Sequence, residues 1–210
     1  MNIERIEHIL SVIDKLGVVS IKQLHEILKL GSYRNTCKVI HGLGEYLHVT
    51  RSTQKIVYLN KDGRDLIGSD KEIKKSILFD HMLLCNHAYI YYGCPFDWKR
   101  EYPIETTKEQ GYNFGIQIKG LTVVNKEVII PDAGFTRNGY VNLVEIDNIR
   151  KMQDNRKKIM KYIEMWSEIQ NHFNLMPKLC FFTCSDKRKK EITKLCASIP
   201  SEVKTFNEVK

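Results

Sequence analysis

The sequence has no apolar run long enough to cross a membrane. No stretch of 18 consecutive apolar residues occurs in the 210-residue chain, and the first ten residues, MNIERIEHIL, mix acidic with apolar side chains. A membrane-spanning helix and a cleavable signal peptide are therefore not expected. These absences favour a cytoplasmic protein that has no membrane partner.

Paired cysteines of the kind that bind zinc are also missing. None of the six cysteines lies in a Cys-x-x-Cys motif, which disfavours a structural zinc site. In a cytoplasmic protein such cysteines are expected to be free thiols. His81 and Cys85 are one helical turn apart, but two potential ligands without two more are more typical of packing than of a metal site.

The chain carries an excess of positive charge. Its formal net charge is +8, with 33 lysines and arginines against 25 acids, and this balance favours an anionic partner, most often a nucleic acid. The excess is local in residues 31–60, where four basic residues accompany one acid: Arg34, Lys38, Arg51, Lys55 and Glu45. Further basic clusters at 150–161 and 187–190 fit a solvated helix face as well as a binding surface.

The amino-terminal pattern predicts three helices and a hairpin. Apolar residues recur at three- and four-residue spacing in the helices, and two short strand-like stretches flank a tight turn. In chain order these elements are a helix over 3–15, helices capped by Ser20 and Ser32, strands at 47–52 and 55–60 with a turn at Thr53 and Gln54, and a short helix in LNKDGRDLIG. Three helices followed by a charged two-stranded hairpin are typical of a winged-helix (winged helix-turn-helix) DNA-binding domain, which we predict over residues 1–68.

The third helix and the hairpin supply the predicted contacts with double-stranded DNA. The seven candidate side chains are Tyr33, Arg34, Asn35, Lys38, His41, Arg51 and Lys55. Arg34, Lys38 and His41 share one helix face because they lie at i, i+4 and i+7, and a cationic outer face suits the major groove. Arg51 and Lys55 flank the turn, where the hairpin would meet phosphates. A solvated helix in a protein-binding module is the alternative.

Residues 69–210 predict an α/β domain. Helices are expected over 71–91, 149–173 and 185–198. Strands are expected at 98–105, 115–118, 128–135, 140–146, 178–184 and 202–206. The predicted fold class is therefore α+β, with the winged helix followed by an α/β layer domain.

Three acids near strand ends form a candidate catalytic group. Asp132 lies in IIPDAGF, and Glu145 and Asp147 in LVEIDN share one face of their strand. If the strand of Asp132 pairs with this one, the carboxylates converge and need a cation or a lysine to neutralise them. Mg²⁺ or Mn²⁺ on Asp132 and Glu145 would activate water against a phosphodiester, with Lys158 as the neutralising amine and Tyr162 one turn beyond it. Acids that only cap loops and the following helix are the alternative.

The order and spacing of several short motifs resemble the replication-relaxation family of plasmids and integrative elements in Gram-positive bacteria. The shared features are YLNKDG at the end of the winged helix, His81-x-x-Leu84-x-Asn86, Trp98-x-x-Glu101, Pro131-Asp132, Glu145-x-Asp147, and Lys158 with Tyr162. The second domain is also similar to the PD-(D/E)xK nuclease fold, with Asp132 and Glu145 as its two acids. This chain has Asp147 where that motif has lysine. Some members of the superfamily supply the lysine from the next helix, as Lys158 would here.

Three functions are compatible with these patterns. The favoured one is a sequence-specific double-stranded DNA-binding protein of a plasmid, phage or integrative element, acting in transcriptional control or in replication and transfer. The second is a Mg²⁺- or Mn²⁺-dependent DNA endonuclease that uses the acidic cluster and Lys158. The third is a DNA-binding adaptor whose carboxy-terminal domain homodimerises or binds a partner protein, since paired half-sites multiply affinity.

Overall fold

The computed structural model describes residues 2–51, 54–74, 78–109, 124–148 and 151–209. They form a mixed α+β structure, which confirms the predicted class. The chain divides into two compact units: unit 1 is Met1–Arg100 with Phe206–Lys210, and unit 2 is Glu101–Thr205. The strand predicted at 115–118 and Thr53 of the predicted turn lie outside the described residues. Within the described ranges, no helix has the length and apolar character needed to span a membrane.

Unit 1 contains five helices and four strands in its described part. They are α1 (Ile3–Leu16), β1 (Val19–Ser20), α2 (Ile21–Leu28), α3 (Tyr33–His41), β2 (Leu47–Arg51), β3 (Lys55–Leu59), α4 (Lys61–Ile67), α5 (Phe79–Tyr91) and β4 (Lys99–Arg100). The strands β1, β3 and β2 form an antiparallel sheet in that order. The predicted helices and hairpin strands are thus present, with ends that differ by one or two residues.

Hydrogen bonds between residues close in sequence determine where helices α2 and α3 of unit 1 begin. Ser20 Oγ accepts from the backbone N–H of Gln23 at 3.1 Å, and Gln23 Oε1 accepts from the Ser20 N–H at 3.1 Å, which forms a capping box on α2. Ser32 Oγ accepts from the Asn35 N–H at 3.2 Å and caps α3. Gly17 ends α1 with a φ of 75°, in the left-handed region that favours glycine.

The helix predicted over 71–91 begins later and belongs to unit 1. Residues 71–74 have no regular structure, and α5 starts at Phe79. Residues 71–74 read KEIK, so they offer one apolar side chain and no buried stripe that would extend the helix. Phe79 packs with Val18 and Ile56, and Asn86 Nδ2 donates to the backbone oxygen of Val18 at 2.6 Å. With α5 packed in this way, unit 1 extends to Arg100, beyond the predicted domain boundary at residue 68.

Unit 2 is built on a mixed sheet. Its elements are β5 (Ile104–Glu109), β6 (Val124–Ile129), β7 (Ala133–Arg137), β8 (Tyr140–Asp147), α6 (Met152–Glu164), α7 (Trp166–His172), β9 (Met176–Thr183), α8 (Asp186–Leu195) and β10 (Ser201–Thr205). The sheet has neighbouring strands in the order β10-β9-β8-β7. The strand β9 is parallel to both β8 and β10, whereas β7 is antiparallel to β8. A separate antiparallel pair joins β5 to β6.

Three predicted elements of this part of the chain are each divided in two. The strand predicted at 128–135 becomes β6 and β7, separated by a segment that contains Pro131, whose nitrogen cannot donate to a strand ladder. The helix predicted over 149–173 becomes α6 and α7, with Met165 between them. The strand predicted at 98–105 becomes β4 and β5.

One face of β8 points toward α6 and α8. Leu143 is packed in a buried cluster with Ile159 of α6 and Ile192 of α8. Because side chains alternate along a strand, Glu145 and Asp147 lie on this same face. Both acids are fully buried, so each must be compensated by partners from the helices.

Candidate functional site

The helix α3 is fixed in unit 1 by its inner face. Thr36 and Ile40 are buried, and Thr36 Oγ1 lies 3.1 Å from Nδ1 of His25 in α2. The ring of His25 also meets Tyr33 edge-on, with ring centroids 5.8 Å apart. These contacts hold α3 against α2 and determine which of its residues face outward.

The outer face of α3 is cationic and exposed. Arg34, Lys38 and His41 are all exposed, and at 100° per residue they lie within about 60° of one another, on the side away from Thr36 and Ile40. A helix that buries one face and presents three basic or hydrogen-bonding groups on the other can donate to phosphate oxygens or to base edges.

Tyr33 and Asn35, the other two predicted DNA-contacting residues of α3, differ in their surroundings. Tyr33 is 50% exposed, so its hydroxyl and ring edge are accessible to a ligand. Asn35 is exposed, but its Nδ2 donates to the backbone oxygen of Leu30 at 2.7 Å. That amide therefore already holds the turn between α2 and α3.

Two basic side chains lie opposite each other where the two strands of the hairpin approach its turn. Arg51 is the cross-strand neighbour of Lys55, and both are exposed. Like charges directly opposite each other on a strand pair are destabilising. An anion bound at this end of the hairpin would relieve that repulsion.

Two further side chains of β2 face solvent and were not predicted as contacts. His48 is exposed and Val49 is 51% exposed. The ring of His48 lies 5.0 Å from that of Tyr58 in β3. Strand alternation puts Val49 on the same face as the buried Leu47. Its cross-strand partner Val57 is buried in the central strand β3, so the exposure of Val49 goes with the position of β2 at the edge of the sheet.

In unit 2, Asp132, Glu145 and Lys158 come together as predicted from their pattern. Ala133 pairs with Val144, which places Asp132 beside Glu145 at the end of the β7–β8 ladder. Glu145 Oε2 accepts from Lys158 Nζ at 2.5 Å, and Oε1 accepts from the Tyr162 hydroxyl at 2.7 Å. Lys158 also donates to a backbone oxygen of the segment before Asp132. We call the side chains of Asp132, Glu145, Lys158 and Tyr162 the acid–lysine cluster.

The electrostatics of the acid–lysine cluster raise the pKa of Glu145 toward neutrality. Burial, followed by the negative charge of Asp132, raises the pKa of Glu145 to about 7, against the opposing influence of Lys158 and Tyr162. Asp132 Oδ2 accepts from the backbone N–H of Ile146 at 2.7 Å, so it also braces the adjacent strand. A carboxyl poised near neutral pH beside an amine is an arrangement found at sites of proton transfer as well as in buried ion pairs.

Asp147 has partners of its own and does not join the other two acids through any of these bonds. Arg188 of α8 donates to it in a bidentate manner, from Nε to Oδ2 at 2.7 Å and from Nη2 to Oδ1 at 2.6 Å. The Thr183 hydroxyl donates to Oδ2 at 2.6 Å. Burial acts to raise the pKa of Asp147, but the hydrogen bonds from Arg188 and Thr183 outweigh it and lower that pKa below its ordinary value.

Of the three carboxylates that were expected to converge, only those of Asp132 and Glu145 lie together, because Asp147 is paired with the guanidinium of Arg188. Neither Arg188 nor Thr183 carries a local sequence signal for this role, since they lie 41 and 36 residues from Asp147. The one sequence feature near Arg188 was the basic composition of residues 187–190, which fitted a solvated helix face as well as a binding surface.

The donor atoms of Asp132 and Glu145 suit a hard divalent cation, because both offer carboxylate oxygens whose charges repel each other. These two residues would hold Mg²⁺ or Mn²⁺, with Lys158 released from Glu145. In the described part of the chain, no group of three or more His, Cys, Asp and Glu side chains is arranged to hold a metal ion. None of the cysteines of the described residues forms a disulfide bond. Comparison with protein-family models, with curated proteins and with solved structures finds no match for this chain.

Proposed function

We propose that this protein binds double-stranded DNA through unit 1, which we interpret as a winged-helix domain. The order helix, short strand, two helices and hairpin supports that interpretation, as does the pairing of β1 with β3 to make the sheet β1-β3-β2. In this arrangement α3 is the recognition helix and the β2–β3 hairpin is the wing. The observation that carries the proposal is the exposed cationic face of α3, opposite its buried face.

The two cationic surfaces have different roles in this proposal. Arg34, Lys38 and His41 enter the major groove, where arginine and lysine donate to guanine edges and phosphates alike. Arg51 and Lys55 hold phosphates, and the bound backbone removes the cost of opposing two like charges. Tyr33 contributes a hydroxyl at the start of the recognition helix.

The direct test is the Arg34→Ala, Lys38→Ala double variant, measured by fluorescence anisotropy on a 24-base-pair duplex of mixed sequence. Each lost phosphate contact lowers the slope of log affinity against log salt by about 0.9, so a loss of up to about 1.8 is expected. The matched control removes two exposed cations elsewhere in unit 1, Arg5→Ala with Lys61→Ala, and should keep the wild-type slope. Unchanged affinity of the α3 variant would refute the proposal.

The resemblance to replication-relaxation proteins supports a role on a plasmid, phage or integrative element, in transcriptional control or in replication and transfer. The site recognised there can be found by selecting bound duplexes from a random-sequence pool. Enrichment of one sequence by the wild type, and its loss in the Arg34→Ala, Lys38→Ala variant, is the expected result. A mass measurement with and without the selected duplex tests whether a homodimer binds, which is one of the two forms of the adaptor hypothesis.

A second candidate activity is metal-dependent cleavage of DNA by unit 2. The specific observation in its favour is the acid–lysine cluster, in which Lys158 from α6 reaches Glu145 beside Asp132. A bound divalent cation would supply an activated water and neutralise charge on the phosphodiester. Asp132 and Glu145 would hold it, Lys158 would contact the phosphate, and Tyr162 would orient Glu145.

The test for cleavage is incubation of supercoiled plasmid with the protein in Mg²⁺ or Mn²⁺. Nicking that disappears in Asp132→Ala and in Lys158→Met would support the activity. Arg156→Gln is the matched control, because Arg156 lies on the same helix and its ion pair with Glu191 is exposed. The absence of nicking with either metal would leave the acid–lysine cluster as a structural feature of a non-catalytic scaffold.

A further inference from the structure

Helix α8 carries a row of three exposed lysines. Lys187, Lys190 and Lys194 are all exposed, and their spacing at i, i+3 and i+7 places them on one face of the helix. Ile192 is fully buried on the opposite face. We call these three side chains the α8 lysine row.

The helix that presents the row is rigidly attached to unit 2. Arg188 forms the bidentate pair with the buried Asp147, and Ile192 is part of the buried cluster that contains Leu143. Ser185 Oγ accepts from the Arg188 N–H and caps the helix. A row of charges on a helix held in this way keeps its spacing, which a flexible basic tail would not.

The positive charge of the row is not cancelled by the acids on its own helix. Glu191 is paired with Arg156 of α6 at 2.5 Å. Asp186 lies in the first helical turn, where the helix dipole favours a carboxylate. Within the described ranges, the three ammonium groups of the row form no ion pair. Their mutual repulsion is therefore balanced by solvent and salt alone until an anion binds.

The dimensions of the row suit a phosphate backbone. Residues 187 and 194 are about 10.5 Å apart along the helix axis, at roughly 1.5 Å per residue. That length corresponds to about three steps of rise along one DNA strand, at about 3.4 Å for each, so the row has the length of about four successive phosphates. Three lysines distributed along such a stretch can each contact a phosphate of the same strand.

The exposed surface of α8 is unsuitable for a lipid bilayer. Its exposed residues are Asp186, Lys187, Lys190, Thr193 and Lys194, and none of them is apolar. A helix that lies in a membrane interface needs large apolar side chains beside its basic ones. A regularly spaced polyanion without a hydrophobic layer is the better match.

We propose that the α8 lysine row is a second DNA-binding surface, which contacts the phosphate backbone of duplex DNA independently of sequence. This binding of DNA by unit 2 is separate from the DNA recognition that we propose for α3. Neither of the two interactions depends on cleavage by the acid–lysine cluster. Phosphate contacts of this kind position a protein on a duplex and add to its affinity at every sequence.

The experiment compares the full chain with the Lys187→Gln, Lys190→Gln, Lys194→Gln variant on the 24-base-pair duplex over a range of salt. Loss of three phosphate contacts lowers the log–log slope by about 2.7. Between about 50 and about 200 mM salt, wild-type affinity should therefore fall about 40-fold more than that of the variant. The control removes the same charge from three separate elements or loops: Arg5→Gln, Lys61→Gln and Lys151→Gln.

The outcomes separate this proposal from the proposed function of α3. A reduced slope in the row variant, together with unchanged affinity and slope in the Arg34→Ala, Lys38→Ala variant, would support the row and refute the role of α3. The reverse result would overturn the row. An equal loss in the row variant and the scattered control would also overturn it, because general charge would then explain the binding. A Lys→Arg variant at the three positions retains the charge and should keep the wild-type slope.

Discussion

Removal of the Arg188 guanidinium should strongly destabilise unit 2. Asp147 is fully buried, and Arg188 supplies two of its hydrogen bonds, at 2.6 and 2.7 Å. In Arg188→Met the carboxylate would remain buried with only the hydrogen bonds from Thr183 and Asn155. Breaking a buried pair by removing one partner costs about 3–5 kcal/mol of unfolding free energy.

The reverse variant should cost less, because the two partners are not equally buried. The Arg188 side chain is 21% exposed, whereas that of Asp147 is not exposed at all. In Asp147→Asn the guanidinium can be solvated, and the Thr183 hydroxyl can still donate to the amide oxygen. A loss of about 1–2 kcal/mol is therefore expected, and adding Asp147→Asn to Arg188→Met should restore part of the lost stability.

Urea unfolding followed by tryptophan fluorescence measures these differences. The chain has two tryptophans. Trp166 is in unit 2 and Trp98 is in unit 1, so a Trp98→Phe background makes Trp166 the sole reporter of unit 2. A loss of less than 1 kcal/mol in Arg188→Met, or a double variant less stable than Arg188→Met alone, would refute the assignment of Arg188 as the partner of a buried charge.

The effect should also depend on pH in a definite direction. Because the pKa of Asp147 is lowered in the folded protein, its pairing contributes stability above the unfolded pKa of about 3.9 and loses it as the pH falls through the folded pKa. The difference between wild type and Arg188→Met should be largest near neutral pH. It should shrink in acid, where a protonated Asp147 no longer needs the guanidinium.

Two further predictions concern unit 1, and both can be read from urea unfolding with Trp98 as the reporter in a Trp166→Phe background. Gly63→Ala should cost about 1–3 kcal/mol, because a Cβ there would collide with the backbone oxygen of Tyr46. Gly44→Ala is its control, since nothing lies near a Cβ at that position, and equal losses in the two would disprove the steric explanation. Ser20→Ala should cost about 1 kcal/mol through loss of the α2 capping box. Ser11→Ala, at an exposed site on α1, should change stability by less than about 0.5 kcal/mol.

The features that were predicted well are those set by residues close together in the chain. Ser20 and Ser32 cap their helices through residues three positions ahead, so a short sequence window contains all the chemistry involved. The cationic face of α3 follows from helical spacing alone. The juxtaposition of Asp132 and Glu145 required one additional assumption, that their strands pair, and β7 and β8 do pair.

The features that were missed depend on residues distant in sequence. The attachment of α5 to unit 1 rests on contacts such as that of Asn86 with Val18, 68 residues apart. Gly63 was visible as the last residue of YLNKDG, but only the close approach of Tyr46 explains why a glycine is needed there. No periodicity in a single segment encodes such contacts.

The structure gives a physical reason why position 147 is an aspartate and not the lysine of the PD-(D/E)xK pattern that the sequence resembles. A lysine at that position would place an ammonium beside Arg188, and the two like charges would be buried together without an anion. In the present arrangement Arg188 pairs with Asp147, and the amine beside Glu145 comes from Lys158 of α6. Exchange of the motif residue alone, Asp147→Lys, would accordingly destabilise unit 2 rather than restore the motif. Any cleavage activity has to be sought in the existing arrangement of Asp132, Glu145 and Lys158.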